Sequence, residues 1–251
     1  MSGDLSFALL LSFLAGISTT IGAVVAFFIK KPTRRILGLT LGFSAGVMIN
    51  ISFVELLTES INGVGFLHAN LAFFVGMVII FAIDVFIPHE YIAEKVESKN
   101  PKLMRTGIMT ALGVGIHNFP EGFATLVGSL YSIKIGILLA VAIAIHNIPE
   151  GMSVFMPIFY ATGNKRKAFL YSFASGILEP IGAVIGAAFL LPFMHAEYII
   201  GCVLAFVAGI MVYISLDELL PAAHQYGQEH IVAIGVISGM AVTLFSLIML
   251  K

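Results

Sequence analysis

The 251 residues are 59% hydrophobic and only 11% charged, and a mean hydropathy of +1.03 leaves too few polar side chains to cover a water-soluble domain. A net charge of -1 excludes a nucleic-acid binder working through a basic face, and a single cysteine, Cys202, excludes an intramolecular disulfide. Lipid is the expected solvent, and spans of about 20 residues, enough to cross about 30 Å of hydrocarbon, use up the chain.

Residues 1–4 lack the basic and small-residue pattern of a cleaved signal peptide, so 5–29 reads as a retained first span. Seven more are expected near 36–57, 67–87, 106–130, 133–160, 168–191, 198–219 and 231–250. The fold class is therefore all-α, a polytopic membrane protein with one transmembrane domain over 1–251. Basic residues fall in alternate loops: Lys30, Lys31, Arg34 and Arg35 after the first span; Lys95, Lys99, Lys102 and Arg105 after the third; Lys165, Arg166 and Lys167 after the fifth. Only Lys134 and Lys251 of the 13 lie on the other side. Short cytoplasmic loops hold the positive excess, so these three loops are expected inside and both termini outside a cell (inner or plasma) membrane.

The two ends of the chain repeat. Residues 41–57 (LGFSAGVMINISFVELL) and 204–220 (LAFVAGIMVYISLDELL) share ten identities in 17 positions, too many for common apolarity alone. Gly16-Ile17 and the run at 21–24 recur as Gly176-Ile177 and the run at 181–184, and Gly76-Met77 as Gly239-Met240. Spans one to three thus return as six to eight. Five spans separate equivalent elements, so the second copy crosses in the opposite sense, an inverted repeat of the kind that places substrate near the bilayer midplane.

The chemistry concentrates in spans four to six, which hold His117, Glu121, His146, Glu150 and Glu179 in their interiors. His117 is twelve residues beyond Arg105 and Glu179 twelve beyond Lys167, which puts each about 18 Å deep. Each ionised carboxylate there costs about 2.5 to 3.5 kcal/mol, and no Lys or Arg inside these spans offsets it. Protonation, a bound cation, or alternation between them remains. The pattern favours the cation: HNFPEG from His117 and HNIPEG from His146 are copies of HNxPEG 29 residues apart on adjacent antiparallel spans. Residues i and i+4 share a helix face, so each copy sets an imidazole beside a carboxylate, and two facing copies supply two nitrogens and two carboxylates, enough for four-coordinate zinc. Pro120 and Pro149 withdraw backbone donors and free the carbonyls of Ile116 and Ile145, while Gly122 and Gly151 admit close neighbours. Glu179-Pro180 repeats the pairing of acid and helix break on span six, where the repeat counterpart of Glu179 is Thr19.

Paired HNxPEG motifs with a Glu-Pro on the next span resemble the ZIP family of metal transporters, most closely its bacterial zinc-uptake branch. The resemblance runs along the whole chain through FSAGVM, GIHNFPEGFAT, AIHNIPEGMSV, ATGNKRKA and AGIMVYISLDELLP. It implies eight helices arranged as three, two and three, and metal uptake into the cytoplasm. By position it implies one metal site of His117, Glu121, His146 and Glu150, with Met48 as an added neighbour. A second, adjacent site would use Asn118, Asn147 and Glu179 and share Glu121 and Glu150. It also implies a homodimer. The long His-rich loop of many family members is reduced here to His89, Glu90, Glu94 and Glu97, which argues against loop-based sensing or storage.

Each residue also has a plainer reading. Asn118 and Asn147 could simply bond neighbouring helices, and Met48 sits among Leu, Ile and Phe as ordinary packing. Glu55 and Glu218 match in the repeat and lie at span ends where a solvated acid costs little; the pathway reading makes Glu55 an entry, and Glu218, Asp217 and Asp84 an exit. His89 and His224 read as solvated, Cys202 as packing, and Lys165 to Lys167 as topology signals. The expected cargo is Zn²⁺, with Fe²⁺, Mn²⁺, Co²⁺ or Cd²⁺ admitted by nitrogen and oxygen ligands lacking thiolate. No prosthetic group and no nucleotide loop is expected, so ATP does not drive this chain directly. An intramembrane metal hydrolase would need HExxH, and Asn stands where its Glu would be. A passive metal channel differs from a carrier in kinetics rather than in sequence.

Overall fold

The computed structural model describes residues 4–29, 33–86, 100–131, 133–190 and 197–250, apart from some side chains within them, those of His117, Pro120, Lys134 and His146 included. His89, Glu90, Glu94 and Glu97 lie outside the described residues. Among the described residues there is no strand, and the helices form eight rods. We number them α1 (Leu5–Phe27); α2 (Arg34–Ile51, a π turn Ser52–Leu56, then Leu57–Val64); α3 (Phe66–Phe86); α4 (Pro101–Tyr131); α5 (Ile133–Thr162); α6 (Lys165–Gly176, then Leu178–Ile185 and a π turn Gly186–Leu190); α7 (Glu197–Ile214, a π turn Ser215–Leu219, then Leu220–Tyr226); and α8 (Glu229–Leu250). The protein is an all-α polytopic membrane protein. Six rods are long and apolar enough to cross a bilayer. The other two, α4 and α5, carry the HNxPEG motifs and have 31 and 30 residues, about 45 Å each, ample for a crossing.

Most boundaries fall within a few residues of the hydropathy reading, but α2 and α7 run about seven residues longer. Their extensions continue through π turns into segments carrying Thr58, Glu59 and Asn62 or His224 and Gln225, polar residues that end a hydropathy peak without ending a helix. Side-chain caps mark several starts. Asp4, Thr33, Asn100 and Asn164 accept from the backbone N–H of Ser6, Ile36, Leu103 and Lys167, satisfying donors the first turn leaves over. At the α5–α6 turn, Gly163 takes φ +69, a conformation that costs glycine little. Lys165 ties that turn to α1: its Nζ donates to the Phe27 carbonyl and lies 5.0 and 5.4 Å from the ring centres of Phe27 and Phe159.

Packing follows the repeat. α1 packs on α5 as α6 packs on α4, and α2 on α8 as α7 on α3. The closest approaches obey the same relation. A Cβ added to Gly122 would stand 1.8 Å from the Glu179 carbonyl oxygen, and one on Gly151 1.9 Å from that of Thr19. Gly46 meets the Val236 carbonyl at 2.2 Å where Gly209 meets that of Phe73 at 2.0 Å. Only glycine lets helix backbones come this near. The two copies therefore close around α4 and α5 about a pseudo-two-fold axis, an inverted repeat in space as in sequence. Ser44 and Ser172 donate across helices to the carbonyls of Pro149 and Gly151, so polar groups as well as apolar ones hold α5 in place.

Candidate metal centre

Asn118, Asn147 and Glu179 stand close to the midpoints of α4, α5 and α6. α4 and α5 run as helices through their HNxPEG motifs, Pro149 included, whereas α6 breaks at Ile177, just before Glu179-Pro180. His117 and His146 lie within α4 and α5, and their side chains lie outside the described residues.

Three acids meet here away from water. Glu150 and Glu179 are 0% exposed and Glu121 4%, so the two motif carboxylates do not turn outward to lipid. Glu121 and Glu150 both lie close enough to repel the charge on Glu179. Asn147 answers part of that charge: its Nδ2 donates to Glu179 Oε2 at 2.7 Å and to the Ala15 carbonyl of α1 at 3.2 Å. Asn118 uses Nδ2 in the same way, donating to the Ser175 carbonyl of α6 at 3.1 Å. The helix-bonding reading of these asparagines is thus correct for their nitrogens. Their oxygens are left over: Asn118 Oδ1, Asn147 Oδ1 and Glu179 Oε1 are buried with no hydrogen-bond partner among the described residues. Unsatisfied buried oxygens are costly, and a cation bound by several of them removes that cost. Such a set suits a dication that accepts oxygen donors.

A second acidic group lies at the end of the bundle that carries the basic loops. Asp84 of α3 with Asp217 and Glu218 of α7 can offer ligand atoms within 4.8 Å of one another. Glu218, for which the sequence leaves a solvated acid and a pathway acid both open, is buried within the π turn at Ser215–Leu219. There Arg105 bridges the helices, donating from one terminal nitrogen to Glu218 Oε1 at 2.9 Å and from the other to Asp84. Tyr213 adds a long hydrogen bond of 3.5 Å to the second oxygen of Asp84. Sequence reasoning missed this bridge by taking Arg105 only as a topology signal. Depth was the available clue, since all three residues begin or end spans on one side. Asp217 remains exposed.

The other candidates are dispersed. Met48 is fully buried in the main hydrophobic core, as packing predicts. Glu55 is half-buried in the π turn of α2, at the opposite end of the bundle from its counterpart Glu218. His224 is exposed, its Nδ1 2.9 Å from the Leu220 carbonyl oxygen, and Cys202 is half-buried against the core.

A family model described as ZIP Zinc transporter matches residues 88–247. The chain belongs to the ZIP zinc transporter family. Its similarity to ZIP relatives spans nearly its whole length. It is 49% identical to the zinc transporter ZupT of Streptococcus mutans serotype c, over 99% of each chain. It is 51% identical to ZupT of Chlorobium phaeovibrioides over 98% of this chain and 99% of the relative, and 48% identical to ZupT of Clostridium perfringens over 96% and 95%.

Proposed function

We propose that this ZIP protein carries Zn²⁺ across the cell membrane into the cytoplasm through a centre built by α4, α5 and α6. The observation that carries the reading is the burial of Glu121, Glu150 and Glu179 at mid-helix, beside amide and carboxylate oxygens that no described residue satisfies. His117, Glu121, His146 and Glu150 make one site. Asn118, Asn147 and Glu179 make the second, with Glu121 and Glu150 shared, so that two ions can sit side by side; Met48 flanks them. The ion enters on the side of Glu55 and leaves past Asp84, Asp217 and Glu218, where it competes with Arg105 for the same carboxylates. Zinc is favoured by the names of the ZupT relatives. The nitrogen and oxygen donors also admit Fe²⁺, Mn²⁺, Co²⁺ and Cd²⁺. The outside termini rest on the basic loops, and the inward direction on the family resemblance. The transporting unit is the single domain 1–251, and a homodimer follows from the family resemblance.

Zinc uptake by proteoliposomes tests this. A His117→Ala, Glu150→Ala variant is expected to lose at least nine-tenths of the wild-type rate, and equal rates would remove the site. Saturation of the wild-type rate with zinc identifies a carrier, and a rate that stays linear identifies a channel.

A further inference from the structure

The pseudo-two-fold axis that builds the centre leaves its two halves chemically unequal. On one side Asn147 of α5 donates to the Ala15 carbonyl of α1 and to Glu179 of α6. The axis carries Asn147 to Asn118, Ala15 to Ser175 and Glu179 to Thr19, and Asn118 does donate to the Ser175 carbonyl. Thr19 therefore occupies, on α1, the place that the acid occupies on α6. The backbone agrees: Gly151 packs on the Thr19 carbonyl as Gly122 packs on that of Glu179, and a Cβ on Gly176 would stand 2.8 Å from Thr19 Cβ.

The Thr19 hydroxyl is not used as helical threonines commonly use theirs. Thr40, Thr106, Thr162 and Thr243 each donate to the carbonyl four residues back. The corresponding acceptor for Thr19 is the Ala15 carbonyl, which already accepts from Ser18 and Asn147. Thr19 is 0% exposed, and its Oγ1 has no hydrogen-bond partner among the described residues. Valine would fill the same volume without stranding a hydroxyl, so packing does not account for a threonine here. Thr110 and Thr125 are also buried without a partner, but their counterparts across the axis, Leu139 and Val154, carry no chemistry. The residue that stands to Thr19 as Asn147 stands to Glu179 is Asn118, whose Nδ2 is held by the Ser175 carbonyl and whose Oδ1 has no hydrogen-bond partner among the described residues.

We propose that Thr19 and Asn118 form the uncharged half of the metal centre and seat a water molecule bound to the ion. Threonine ends two bonds short of glutamate, about 2.5 Å, close to the oxygen-to-oxygen length of one hydrogen bond. One water would span the length by which threonine falls short of a second acid. A water on a dication is a strong donor, and Thr19 Oγ1 and Asn118 Oδ1 are two acceptors with no donor among the described residues. The ion is thus gripped by Glu179 on the α6 side and keeps part of its hydration on the α1 side. This lopsided grip sets how tightly zinc is held and how readily it leaves. A symmetric centre with a fourth acid would hold the dication too strongly to pass it on.

The inference rests on the centre proposed above, and the test separates the two. Zn²⁺ affinity is measured on purified full-length protein by competition with a chromophoric chelator, alongside uptake in proteoliposomes. Thr19→Val is expected to weaken zinc binding about tenfold and raise KM, and Thr19→Ser to keep wild-type values. Thr19→Glu, which supplies the missing acid, is expected to bind zinc at least tenfold more tightly and to lower kcat. If wild type binds zinc, the His117→Ala, Glu150→Ala variant does not, and Thr19→Val matches wild type, the centre stands and the role of Thr19 is overturned. If the double variant binds as wild type does, the centre itself fails. Should Thr19→Val not fold, the Ser and Glu variants decide: unchanged affinity in Thr19→Glu overturns the role, and the tightening with slowed turnover supports it.

Discussion

Asn147 spends one nitrogen on two acceptors, a carbonyl of α1 and a carboxylate of α6, and so holds the mid-membrane acid while fixing a helix contact. Replacing it with aspartate tests whether that acid awaits a cation. Asn147→Asp sets a carboxylate against Glu179 at a contact that is now 2.7 Å, and it removes the donor to Ala15. Like charges at this range in a low dielectric destabilise the empty protein, whereas a dication between them is bound more tightly. The metal-free variant is expected to melt several degrees below wild type in detergent, and added zinc to raise its Tm by more than it raises that of wild type. Tenfold tighter binding corresponds to about 1.4 kcal/mol of extra stabilisation. Equal zinc-induced shifts in the two proteins would show that residue 147 does not face the ion. The asparagine itself was legible in the HNxPEG motif, but which of its atoms bonds the helices and which is left over was not, because that depends on where α1 and α6 lie.

At the scale of the helix, the π turns account for what periodicity could not. Ser52–Leu56 and Ser215–Leu219 occupy equivalent places in the repeat, and each opens with a serine whose hydroxyl donates at 2.7 Å to a methionine carbonyl one turn back. The repeated ISxxELL pattern was visible, yet the wider turn within it rotates the following residues off a 3.6-residue register, and a helical wheel misplaces them. Glu218, within the second of these turns, is buried and joins α7 through Arg105 to α3 and α4. Removing the guanidinium leaves two buried acids facing each other, so Arg105→Gln is expected to cost about 3 kcal/mol, the lower end for a broken buried pair. Adding Asp84→Asn to Arg105→Gln should return part of that loss, because the variant then strands one acid fewer. Thermal melts of the two single variants and the double variant measure the coupling. Strictly additive losses would mean that Arg105 and Asp84 stabilise the bundle separately, without a functional bridge between α3 and α4.

For the molecule as a whole, hydropathy, loop charge and the internal repeat made most of the architecture legible, because a membrane leaves a chain few ways to satisfy its backbone. The pairing of α1 with α5 and α6 with α4 was not legible. It depends on which carbonyl each glycine meets, as Gly122 meets Glu179 and Gly151 meets Thr19, and one sequence does not record those meetings. The orientation that the basic loops imply can be tested directly. Asn62, at the end of α2, and Arg166, at the start of α6, are both exposed and sit at opposite ends of the bundle. With Cys202→Ser removing the native thiol, a single Asn62→Cys or Arg166→Cys reports its own side of the membrane. A membrane-impermeant maleimide added to intact cells is expected to label Asn62→Cys at least tenfold faster than Arg166→Cys, and permeabilisation to make the two comparable. The acids at Asp84, Asp217 and Glu218 share the Arg166 end, so this outcome also puts the Arg105 bridge on the cytoplasmic face, where an inward-moving ion would leave. Preferential labelling of Arg166→Cys would invert the bundle and turn the proposed exit into an entrance.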